Sequence, residues 1–230
     1  MKFLIPPSEG KSLNNTSIYH FLDTDFPMLD SVKKILVLLK SKKTDLEIQS
    51  IYGTNINKSL DLHIQNLNIL NSCCSLAIER YTGVVFKNIN WDEFNDKDKV
   101  FFGEHFLIFS GLFGMVSPTS LIPNYKLKMN VLSLHKFWNP IITEKLKDED
   151  VIIDMLPQIH RKAYRHDERV MNIDFFHIKD GKKVNAGHFG KAVKGQFIRF
   201  ITKNKIKKID DFSRFNYNGF VWDGNCIIKE

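Results

Sequence analysis

The chain has 230 residues, 43% of them hydrophobic and 26% charged, which supports a sizeable core and excludes a disordered composition. Lys and Arg exceed Asp and Glu by seven, and the isoelectric point is about 9.2. A basic balance favours polyanionic partners, although a Lys-rich surface also serves solubility alone. Cys73, Cys74 and Cys226 form a poor disulfide framework, which points to a reducing, cytosolic setting. The apolar run in MKFLIPPSEG is too short for a signal segment, and no stretch approaches bilayer-spanning length, so no membrane partner is expected.

In chain order, Phe3 to Ile5 predicts a short buried strand stopped by Pro6 and Pro7. Residues 12–26 are polar and irregular. From Pro27, the apolar residues Leu29, Val32, Ile35, Leu36 and Leu39 recur at helical spacing. A second helix opens with the capping pattern Thr44-Asp45-Leu46-Glu47 and stops before Gly53. A third, about 56–70, places Leu60, Ile64, Leu67 and Leu70 on its apolar face. Residues 92–99 read as a solvated helix. Strands follow at 106–109, 151–156 and 172–178, the last turning at Asp180-Gly181 into 183–186. A helix spans about 190–203, and the chain closes with a hairpin turning at Asp223-Gly224. There is no linker and no repeat, so residues 1–230 read as one compact domain of α+β (mixed α/β) class.

Four segments carry candidate chemistry. Gly10-Lys11-Ser12 invites a phosphate-loop reading, but the position that must be Gly is Ile5, so that reading fails. Ser8, Glu9 and Lys11 still lie in a strand-end loop, where polar groups gather in α/β proteins; a locally bonded turn is the alternative. In RYTGVVF, Gly83 supplies either a phosphate-facing hairpin turn assisted by Arg80, or an ordinary packed turn. If IPNYKLKM is extended, Lys126 and Lys128 line one side, either of a basic groove or of a protected edge. In GKAVKGQFIRFI, the residues Val193, Phe197, Phe200 and Ile201 face the core, and Lys191, Gly195 and Arg199 form a stripe beside them. Gly in a helix interior costs about 1 kcal/mol against Ala, so Gly195 admits either a phosphate between two cations or a neighbouring helix. Lys194 lies on the other flank, and His188 and Gly190 stand at the helix start, where free N–H groups favour an anion. The eight histidines show no metal-ligand spacing, so no metal and no cofactor is expected. Cys73-Cys74 sits in an apolar setting that suits buried, inert thiols.

Six segments, in order, resemble the YaaA family of peroxide-stress proteins. They are IPPSEGKS at 5–12, RYTGVVF at 80–86, FSGLFGMVSPTSLIPNYKLKM at 109–129, KFWNPIITEKL at 136–146, GHFGKAVKGQFIRFI at 187–201 and NGFVWDG at 218–224. One segment departs: after VIIDM the chain reads LPQIHRKAY, with Pro157 and His160 in unusual places and Tyr164 in the expected aromatic position. The resemblance implies a mixed sheet with surrounding helices, a helix-hairpin-helix-like element and a basic cleft. It also implies DNA binding and protection from hydrogen peroxide by limiting free intracellular iron, with no settled catalytic activity. The expected DNA or phosphate contacts are Ser8, Lys11, Arg80, Lys126, Lys128, His188, Lys191, Lys194, Gly195 and Arg199. The alternative is an enzyme acting on a phosphorylated small molecule or modified nucleotide, with Glu9, Lys11 and His188 as candidate catalytic groups.

Overall fold

The computed structural model describes all 230 residues. The run Phe3-Leu4-Ile5 is fully buried and forms β1 (Lys2–Ile5) at the middle of a five-stranded sheet. A continuous apolar run suits a strand covered on both faces. After β1 come the helices α1 (Leu29–Lys40), α2 (Asp45–Tyr52) and α3 (Ile56–Leu67). Next are β2 (Cys74–Leu76), α4 (Ala77–Arg80), α5 (Val84–Ile89), α6 (Asp96–His105), β3 (Phe106–Ser110), β4 (Gly114–Val116) and β5 (Leu121–Pro123). Then follow α7 (Leu134–Lys145), β6 (Ile152–Asp154), α8 (Gln158–Arg161), β7 (Val170–Asn172), β8 (Phe175–Lys179) and β9 (Lys182–Asn185). The chain ends with α9 (Gly187–Asn204), β10 (Asn216–Tyr217), β11 (Phe220–Trp222) and β12 (Ile227–Lys229).

The central sheet has the order β4-β3-β1-β6-β7 and is parallel except for β4. The carboxyl ends of β1, β3 and β6 therefore lie together on one edge, and Leu4 pairs with Asp154 and Leu107. A second sheet runs β10-β11-β12-β8-β9, and β2 pairs with β5. Stacked rings of Phe3, Phe106 and Phe102 fill the core beside β1, at 4.8 and 4.5 Å between centroids. The fold is α+β, as the sequence pattern implies. No helix is long and apolar enough to cross a membrane.

Three readings need correction. Helix α3 buries Ser59, His63 and Asn66 and leaves Ile64 exposed, because Asn66 donates to the Tyr52 hydroxyl (3.1 Å) and the Lys126 carbonyl (2.8 Å). Leu60, Leu67 and Leu70 still pack against the core, so the buried polar residues lie beside the apolar stripe and of the four only Ile64 leaves it. Segment 92–99 is the junction into α6, where Asn95 caps the helix and buried Asp98 pairs with Lys203 and Lys205. The strand expected at 172–178 is two strands in different sheets, β7 and β8, separated by Ile173 and Asp174.

Candidate functional site

Pro6 and Pro7 end β1, and loop 6–12 then lies on the carboxyl edge of the sheet, the usual ligand edge of parallel sheets. The loop is held from beneath. Arg80 is fully buried and donates to the carbonyls of Ser12 (2.5 Å), Asn14 (2.9 Å) and Ile122 (3.4 Å) and to Asn15 Oδ1 (2.7 Å). Arg80 is thus a structural clamp, out of reach of any phosphate. The turn at Gly83 (φ 104°) joins α4 to α5 and packs on this loop: Thr82 N–H donates to the Gly10 carbonyl at 3.1 Å. A Cβ on Gly10 would stand 2.9 Å from Thr82 Oγ1, which is why the loop closes so tightly. The packed-turn alternative holds here.

Above the clamp is a cavity of about 200 Å³ whose wall includes Ser8, Glu9, Lys11, Tyr125, Lys126, Lys128 and His160. Lys11 Nζ donates to the Ser8 carbonyl at 3.0 Å and lies 4.3 Å from the Tyr125 ring centre and 5.4 Å from that of Tyr81. It has no carboxylate partner. Burial, followed by the nearby Lys126 charge, lowers its pKa to about 7. Glu9 instead bridges Lys128 (3.0 Å) and Lys126 (3.1 Å), whose hydrogen bonds hold its carboxyl below the usual range. As a carboxylate kept ionised, Glu9 is poorly tuned as a proton donor.

The expected alternation at 125–129 is present: Tyr125, Leu127 and Met129 are buried, while Lys126 and Lys128 reach the cavity. Asn66 fixes this segment by pairing with both the N–H and the carbonyl of Lys126. Beneath Lys11 the hydroxyls of Tyr81, Tyr125 and Ser110 form a buried chain with links of 2.7 Å, and Phe113 N–H donates to Ser110 Oγ.

Beside the cavity, β6 ends in fully buried Asp154. It accepts from Tyr164 (2.5 Å), from Leu156 N–H (2.6 Å) and from Arg161 Nε (3.4 Å). Burial, then the Asp154 charge, pushes the Tyr164 phenol well above its ordinary value. The departing segment LPQIHRKAY thus keeps its aromatic at Tyr164 and supplies His160 to the cavity wall. Burial and the Lys194 charge lower the His160 pKa to about 4, and its Nδ1 is buried without a hydrogen-bond partner.

Helix α9 divides the remaining candidates. A Cβ on Gly195 would meet the Val85 carbonyl at 2.4 Å and Asn88 Cβ at 2.5 Å, so this glycine admits helix α5 and no phosphate. Arg199 donates to the carbonyls of Ile89 and Asn90 (3.1 Å each) and to Glu93 (2.5 Å). Its role in the stripe is to fasten α5. Lys194 donates to the Met155 carbonyl over the Phe175 ring, and burial lowers its pKa to about 8. These three are corrected to internal roles. Lys191 and His188 remain exposed at the start of α9, outside the cavity. The β8–β9 hairpin precedes α9; at its turn Lys179 and Lys182 are exposed without ion-pair partners, and Lys183 meets Asp223 at 3.3 Å. Phe189, between His188 and Gly190, is 77% exposed.

His160, Asp154 and Tyr125 escape a sequence reading because long-range pairing brings them to the loop. One signal was available: Asp154 ends an apolar strand, a position that in parallel sheets faces the ligand edge. No group of three or more His, Cys, Asp or Glu residues is placed to hold a metal ion.

The fold and this edge define a class: an α+β protein with a lysine-rich cavity at the carboxyl ends of a mostly parallel sheet. Residues 1–225 match the family described as "Peroxide stress protein YaaA". The chain belongs to that family, and at that level it is a peroxide stress protein. Among similar proteins, a UPF0246 protein of Malacoplasma penetrans is 29% identical over 100% of this chain and 99% of its own length. One from Parabacteroides distasonis is 28% identical over 86% of this chain and 79% of its own. One from Crocosphaera subtropica is 27% identical, covering 86% and 85% respectively.

Proposed function

We propose that this peroxide stress protein binds DNA through phosphate contacts without sequence preference, and that this binding serves to limit iron-driven peroxide damage. The observation that carries the reading is a set of exposed lysines without ion-pair partners on one continuous hairpin–helix unit: Lys179 and Lys182 at the β8–β9 turn and Lys191 near the start of α9. Exposed Phe189, in the first turn of α9, offers an apolar face for a base or sugar. The chain's excess of seven positive charges supplies attraction from a distance. Lys126 and Lys128 join such a contact only by exchanging Glu9 for a phosphate. We place the activity in the cytosol, since Cys73, Cys74 and Cys226 are free thiols, which suits a reducing compartment.

The test is a titration of duplex DNA at two salt concentrations. Non-specific phosphate binding predicts affinity that falls by roughly 0.9 log units per contact for each tenfold rise in salt. Absence of binding at low salt, or binding indifferent to salt, overturns the reading.

A further inference from the structure

The cavity beneath loop 6–12 has features that DNA contact does not use. A cation held for structure normally meets a carboxylate or several carbonyls, as Arg80 and Arg199 do here. Lys11 has one carbonyl, that of Ser8, and two aromatic rings. The nearest acid, Glu9, is engaged by Lys126 and Lys128. The other charged or titratable groups around Lys11 are Arg80 below, Tyr81 and Tyr125 beneath its ammonium, and His160 across the cavity. Burial and neighbouring positive charge both favour the neutral amine, and a neutral lysine amine in a cavity is a nucleophile.

We propose that Lys11 is the reactive amine of a small-molecule site that captures anionic aldehydes or ketones as imines. Its Nζ attacks the carbonyl carbon, forming a C–N bond, and the carbonyl oxygen becomes a hydroxyl by proton transfer from the nitrogen. The C–O bond then breaks and water leaves. One proton taken from solvent balances the step, giving a protonated imine. Lys126 and Lys128 hold the ligand's carboxylate or phosphate in place of Glu9, which belongs to an exposed part of the loop and is free to swing out. The cavity volume of about 200 Å³ admits a ligand of metabolite size and excludes a polymer. The site is independent of the DNA surface on α9.

The full chain is treated with glyoxylate or with acetaldehyde, each with sodium cyanoborohydride at about pH 7, and the reduced adducts are mapped by mass spectrometry. Lys11 is expected to be labelled by glyoxylate at least about tenfold faster than any other lysine, because far more of it is neutral at that pH. Lys126→Gln with Lys128→Gln also removes positive charge that favours the neutral amine, so both aldehydes should label Lys11 more slowly, but glyoxylate should slow by at least about tenfold more than acetaldehyde. Circular dichroism confirms that the double variant is folded, and Lys11→Arg should abolish the adduct. Labelling of Lys11 no faster than that of surface lysines overturns the amine role. Equal slowing of both aldehydes in the double variant overturns the anion preference.

Discussion

Two basic segments expected to make the same phosphate contacts, the Lys191–Arg199 stripe and the loop around Lys11, behave oppositely in the fold. On α9, Gly195 and Arg199 are occupied by α5, whose carbonyls and backbone fill the space a phosphate would need. In the loop, the lysine lacks an acid partner and faces a cavity. A cation's function follows from what already occupies its donors and from what lies beside it; spacing along a helix reports neither.

The sharpest way to break this comparison is Gly195→Val. With the Val85 carbonyl 2.4 Å from the added Cβ, α5 and α9 must separate, and we expect a loss of about 3 kcal/mol or more in urea unfolding. Retained stability would return Gly195 to the phosphate reading. Arg80→Ala is next: it leaves the Ser12, Asn14 and Ile122 carbonyls without their donor and opens a void, for an expected cost of about 3 kcal/mol. Arg199→Ala should cost about 1–2 kcal/mol through the lost bonds to Ile89 and Asn90, whereas Lys191→Ala should change stability by less than about 0.5 kcal/mol.

Lys11 sharpens the comparison through pH. Its folded pKa of about 7 lies below the ordinary 10.5, so between these values the unfolded chain binds more protons than the folded one. The Lys11 contribution to stability therefore rises as pH climbs from about 7 towards 10.5, and its full penalty applies below 7. Lys11→Met removes that dependence. The variant's melting temperature relative to the natural chain should be most favourable near pH 6 and should decline steadily above pH 7. A gap constant with pH would show that Lys11 is an ordinary solvated lysine.

What the sequence reveals is local. Thr44 and Glu47 announce a capping box that the structure forms, and the expected Asp180-Gly181 turn has both residues at positive φ. The buried arc Val193, Phe197 and Ile201 follows from helical periodicity alone. What escapes is set by distant partners. Asn66 buries a polar stripe of α3 beside its apolar one to reach Lys126, sixty residues on. Asp98, in a segment that reads as solvated, is buried against Lys203 in the last turn of α9 and Lys205 just past its end; burial raises its pKa, but their hydrogen bonds prevail and lower it to about 2. The cavity itself was half legible. Ser8, Glu9 and Lys11 announce it, but His160 comes from α8 and Tyr125 from the segment after β5, and expected His188 lies elsewhere.

The central claim about DNA is that exposed, unpaired cations of the hairpin and the α9 start make the phosphate contacts. It is tested most directly by the salt dependence of duplex binding in a Lys179→Gln, Lys182→Gln, Lys191→Gln triple variant. Loss of three phosphate contacts predicts a salt slope shallower by about 2.7, with weaker affinity at low salt and an unchanged melting temperature. A slope and affinity equal to those of the natural chain would contradict it.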